Sequence, residues 1–136
     1  MSIFDIEVKV QAGQQGVARI EKFEVSETSS RMSAIRALMH PSEFISPGKY
    51  TKLFVNDTIM MSDTPMERRT NSGFVSHAHG RVLVAGLGIG LILEAILDKP
   101  EVETVTVIEK YQDVVDLVAP SLLDRFADKL TVITAF

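Results

Sequence analysis

The chain has 136 residues, 46% hydrophobic and 24% charged, the composition of a folded globular protein rather than a disordered one. A net charge of −4 offers no basic field for a nucleic-acid backbone, so nucleic acid is not expected as a partner. With no cysteine, disulfides, thiolate metal sites and cysteine nucleophiles are excluded together.

The N-terminal ten residues alternate charge with apolar side chains and lack the apolar run of a signal peptide, so a cytoplasmic location is expected. The longest apolar stretch, residues 82–93, is interrupted by Gly86, Gly88 and Gly90 and falls short of a membrane span. No membrane association is expected.

Ile6, Val8 and Val10 alternate with charged residues and predict a half-buried first strand. Residues 11–16 read as a turn and residues 17–25 as a second strand. Over residues 29–40, Met32, Ile35, Leu38 and Met39 fall on one face of a short helix that Pro41 stops. Pro47-Gly48 marks a turn. Residues 51–55 and 58–61 then predict a hairpin around Asn56-Asp57, two residues that tolerate the positive φ of a tight turn.

Thr64-Pro65-Met66-Glu67 has the form of a capping box with proline at the first helical position. A helix is predicted from Pro65 to about His79, ended by Gly80. Residues 81–85 are continuously apolar after Arg81, as in a strand covered on both faces. Helix at 91–97, strand at 102–108, helix at 111–118, a break at Pro120, a short helix at 122–127 and strand at 130–133 follow. This alternation predicts an α/β fold with a parallel sheet. The chain divides near His79-Gly80: residues 1–79 form a small, hairpin-rich N-terminal region, and residues 80–136 the α/β part.

Chemistry is expected at Gly86-Leu87-Gly88-Ile89-Gly90. Glycines after a buried strand let the backbone turn sharply and leave no side chain between main chain and ligand. Glu109 ends the next strand, where a carboxylate accepts hydrogen bonds from both hydroxyls of a ribose. The glycine spacing is GxGxG, not the GxGxxG of dinucleotide sites, which points away from a pyrophosphate-bridged cofactor and towards S-adenosylmethionine.

VLVAGLGIGLILEAIL, VETVTVIEKYQDVVDLV and KLTVITA together resemble the first two motifs of class I S-adenosylmethionine-dependent methyltransferases, in the variant shared with spermidine synthases. SPGKYTKLFVNDTIMMSDTPMERR resembles the hairpin and leading helix of small spermidine-synthase-like proteins, so the likeness covers roughly residues 47–135. It implies an incomplete Rossmann-like parallel sheet. It also implies a nucleoside cofactor site with Gly86, Leu87, Gly88 and Gly90 along the amino-acid end, and with Glu109 and Lys110 at the ribose.

The resemblance further implies a transferase whose family carries four more strands and a catalytic group after the fourth, so the chain is expected to be truncated or unusually short. Arg68-Arg69-Thr70-Asn71 stands where spermidine synthases carry an acidic segment with Tyr-His, which disfavours an aminopropyl acceptor. Thr134-Ala135-Phe136 stands where relatives contact adenine with an acid.

Three readings follow: a methyltransferase-like S-adenosylmethionine-binding transferase, an aminopropyltransferase, and a non-catalytic partial module acting through association. The acceptor and the catalytic residues are not assigned, and homo-oligomerisation through an unpaired sheet edge is expected.

His77 and His79 diverge on a helix and lack a third ligand, so no metal site is expected. Met60, Met61 and Met66 read as core filling before pocket lining, Glu67 as the capping carboxylate, and Asp113 and Asp116 as a solvated helix face.

Overall fold

The computed structural model describes residues 2–38 and 45–136. It is a mixed α/β structure with two sheets: a four-stranded antiparallel sheet and a separate three-stranded parallel sheet.

The chain opens with a 3₁₀ turn, Ile3–Asp5, capped by the Ser2 hydroxyl, which accepts from Phe4 N. Val8 and Val10 are buried and their charged neighbours exposed, as the alternation predicts. Among the described residues the segment nevertheless pairs with no strand. The Arg68 guanidinium takes up its backbone instead, donating to the carbonyls of Ile3 and Ile6 at 2.7 and 2.6 Å.

The expected turn at residues 11–16 contains a short edge strand, β1 (Gly13–Gln15), paired with β2 (Ala18–Val25). β2 pairs with β3 (Gly48–Val55), and β3 with β4 (Thr58–Ser62), giving the order β1-β2-β3-β4. The β3–β4 turn is the predicted one, with Asn56 and Asp57 at φ 50° and 63°, the handedness that matches strand twist.

One face of this sheet sends Ala18, Ile20, Leu53 and Val55 into the core. On the other, Phe23 packs on Tyr50 while Arg19 and Lys52 lie over the Phe54 ring. α1 (Glu27–Ala37) forms where expected, but Met32, Ile35 and Leu38 face solvent. Met39, His40 and Pro41 lie outside the described residues.

α2 (Pro65–His77) starts at Thr64, yet the capping box is not made: the Thr64 hydroxyl shares a hydrogen bond with Ser62 Oγ. β5 (Gly80–Ala85), β6 (Val102–Glu109) and β7 (Leu130–Thr134) form the parallel sheet in that order, with α3 (Leu91–Ile96) and α4 (Gln112–Phe126) as the connections.

Two expectations fail here. α4 runs straight through Pro120, which is exposed, because Val114, Val118, Ala119 and Leu122 are buried on its other face. That burial outweighs the ~3 kcal/mol that an interior proline costs. β5 is not covered on both faces, since Val84 points into the core while Leu83 is 64% exposed.

A single apolar cluster spans the whole fold, drawing Ile20, Leu53 and Val55 together with Val105, Val107 and Leu122. Asp113 is partly exposed, and its Oδ2 accepts from Val17 N at 3.0 Å, so this residue of the solvated face also ties α4 to the chain entering β2. Among the described residues no helix is long and apolar enough to cross a membrane.

Candidate functional site

β5 ends at Ala85 and the chain turns through the glycine loop into α3. Gly88 and Gly90 hold φ of +54° and +83°, the left-handed region that glycine enters without penalty. Each is also tightly approached: a Cβ on Gly90 would lie 3.2 Å from Leu122 Cδ1, and one on Gly88 would lie 2.1 Å from Met61 Sδ. A Cβ on Gly86 would meet nothing within 4 Å. The loop is therefore packed against α4 at one end, covered by β4 in the middle and open at the start.

Glu109 closes the arrangement from the end of β6. It is 7% exposed. Its Oε2 accepts from Leu87 N at 2.8 Å and its Oε1 from Tyr111 N at 3.1 Å. This strand-end carboxylate therefore braces the loop. Gly86 N donates to Ile108 O at 2.8 Å, so the first loop residue is tied to the same strand. The Gly88 and Ile89 amides make no hydrogen bond among the described residues.

A cavity of about 450 Å³ lies over the loop. Gly86, Leu87, Gly88, Glu109 and Lys110 line it, five of the six cofactor residues expected from the sequence. Gly90 is buried behind them and acts through packing. Lys110 is exposed, its ammonium 5.3 Å from the Tyr111 ring centroid and 5.4 Å from that of Phe136.

The roof comes from the hairpin and α2: Leu53, Val55, Met60 and Met61, with Glu67 and Asn71 one turn apart. Tyr111 was not singled out from the sequence, although it follows Glu109-Lys110 directly; Asn71 was named there only as part of the Arg68-Arg69-Thr70-Asn71 segment, and of that segment it alone lines the cavity. Larger clefts of 690 and 570 Å³ lie elsewhere, but neither touches the glycine loop.

Arg68 is not in this cavity. It is turned towards the N-terminal segment, with Nε on Asp63 O at 2.8 Å and the Asp63 carboxylate 3.7 Å away. Arg69 is exposed and lies outside the lining. The α2 side of the cavity thus carries the carboxylate of Glu67, not the arginine pair.

His77 and His79 direct their Nδ1 atoms to the Gly73 and His77 carbonyls, and among the described residues no cluster of three metal-ligating side chains occurs. Glu94, buried on α3, is held by Arg125 through a two-pronged pair, one arm at 2.7 Å. The Glu94 hydrogen bond pushes the Arg125 guanidinium further above its ordinary pKa, and the pair ties α3 to α4. No family model and no curated protein matches the chain.

Proposed function

We propose that the cavity over the glycine loop binds the sulfur nucleoside S-adenosylmethionine, and that residues 80–136 are a Rossmann-like half of a methyltransferase-like transferase. The observation that carries this reading is the Glu109 carboxylate, locked by Leu87 N and Tyr111 N on the cavity wall beside the space left open at Gly86. Each carboxylate oxygen has a second lone pair, so both ribose hydroxyls can still be accepted.

The apolar roof of Leu53, Val55 and Met60 suits exclusion of water from a reactive sulfonium. When bound, the cofactor supplies an electrophilic methyl group. This chain's residues orient the nucleoside and shield it.

The test is a thermal shift. S-adenosylmethionine or S-adenosylhomocysteine is expected to raise the melting temperature and NAD is not, since a ligand selective for the folded state stabilises it. Equal stabilisation by NAD, or none by either sulfur nucleoside, counts against the assignment.

Aminopropyl transfer from the decarboxylated cofactor is the second reading. The position of Glu67 favours it: with Arg68 and Arg69 out of the cavity, a cationic amine would meet a carboxylate there. Putrescine binding that disappears in Glu67→Gln would select this reading over the first.

A further inference from the structure

Met61 covers half of the glycine loop. Its thioether lies against Gly88 so closely that a Cβ there would be 2.1 Å from Sδ, and 3.5 and 3.6 Å from Cε and Cγ. The Gly86 end of the same loop is open. The amide of Gly88, which lines the cavity, is unpaired among the described residues, so the covered half also has a hydrogen bond left to give.

Met61 projects from β4, where it pairs with Leu53, and is only partly buried. Methionine is unbranched and adapts to irregular gaps, so its end can swing away without moving the strand that carries it. A β-branched side chain could not do this.

We infer that Met61 is a specificity-determining residue: its thioether occupies the loop at Gly88 and must be displaced by any nucleoside that carries an amino-acid tail. The inference rests on the nucleoside reading of the cavity. With Glu109 at the ribose, a tail extends along the loop to Gly88, where it gains the free Gly88 amide and displaces the Met61 thioether. A nucleoside that ends at the thioether sulfur reaches only the open half. Met61 thus lowers the apparent affinity for the tailed ligand alone, by the fraction of molecules in which the loop is uncovered.

Binding of S-adenosylhomocysteine and of 5′-methylthioadenosine, measured by calorimetry on the wild type and Met61→Ala, tests this. The ratio of their affinities is expected to shift towards S-adenosylhomocysteine by about 5- to 10-fold in Met61→Ala, as for an uncovered state populated at ~10–20% in the wild type. In wild-type protein carrying ¹³C-methyl methionine, the Met61 methyl resonance, assigned from Met61→Leu, is expected to move with S-adenosylhomocysteine and stay put with 5′-methylthioadenosine. This second readout needs no destabilised variant.

If both nucleosides bind but neither the ratio nor the resonance responds, the role of Met61 is overturned and the site stands. If neither nucleoside binds wild type or variant, the site reading falls and takes this inference with it.

Discussion

At Gly88 and Gly90 the same backbone requirement meets two different neighbours, and the difference is measurable. An L-residue in the left-handed region costs ~1–2 kcal/mol at either position. At Gly88 the added methyl meets the flexible Met61 side chain, which can give way. At Gly90 it meets Leu122, which is fully buried in the core. Gly90→Ala should therefore destabilise more than Gly88→Ala in urea unfolding. The Gly88→Ala penalty should also shrink by ~0.5–1 kcal/mol in a Met61→Ala background, as expected of contacting residues. Additive penalties would mean that the thioether does not rest on the loop. Glu109 is the other decisive residue, because two backbone amides point at its two oxygens. Glu109→Gln turns an NH₂ towards one of them, leaving a donor unsatisfied, so stability should fall by ~1–3 kcal/mol alongside nucleoside affinity. A folded Glu109→Gln protein of wild-type stability would contradict the bracing role.

Among elements, α3 and α4 are held together by the Glu94–Arg125 pair, and Arg125→Ala leaves a buried carboxylate without its partner. Breaking a fully buried pair costs ~3–5 kcal/mol, but the Arg125 side chain is 31% exposed. A loss of about 2 kcal/mol is expected in denaturant unfolding, with Arg125→Lys intermediate because one prong remains. The elements themselves were largely legible in the sequence. Asn56-Asp57 announced its turn because both residues tolerate the φ the turn demands, and the glycine loop and Glu109 stood at strand ends where the structure places them. What escaped depends on partners distant in the chain. The segment around Ile6 has strand-like alternation, but its carbonyls are met by Arg68, 62 and 65 residues away. The same long-range contact takes Arg68 away from the region where the resemblance had set it, out of the cavity over the glycine loop. Pro120 carried a local stop signal that burial of its neighbours overrode, and the tie of Asp113 to the Val17 amide could not be read from the helix face alone.

The parallel sheet raises a question only the whole molecule can answer. Sheets of this kind are ordinarily covered on both faces, because their crossovers place helices there. Here Val84, Val105, Val107 and Leu130 are buried on one face, whereas Leu83 at 64% and Ile133 at 44% exposure stand on the other. β5 is moreover an edge: it pairs with β6, and among the described residues no strand lies along its other side. The four-stranded N-terminal sheet packs into the common core without extending the ladder, so among the described residues no N-terminal strand pairs with that edge. Arg81 is the lone charge on a strand that otherwise reads Gly-Val-Leu-Val-Ala, and an apolar strand with open N–H and C=O groups is a template for pairing with another chain. This chain is therefore expected to self-associate, with β5 at the contact. Light scattering across a concentration series should show a mass above that of one chain. Hydrogen exchange should show protection at β5 that grows with concentration. Leu83→Lys, which puts a second charge on the exposed face without touching the core, should shift the equilibrium towards the single chain while leaving the melt cooperative. A monomer at high concentration whose β5 amides are already strongly protected would overturn the exposed edge.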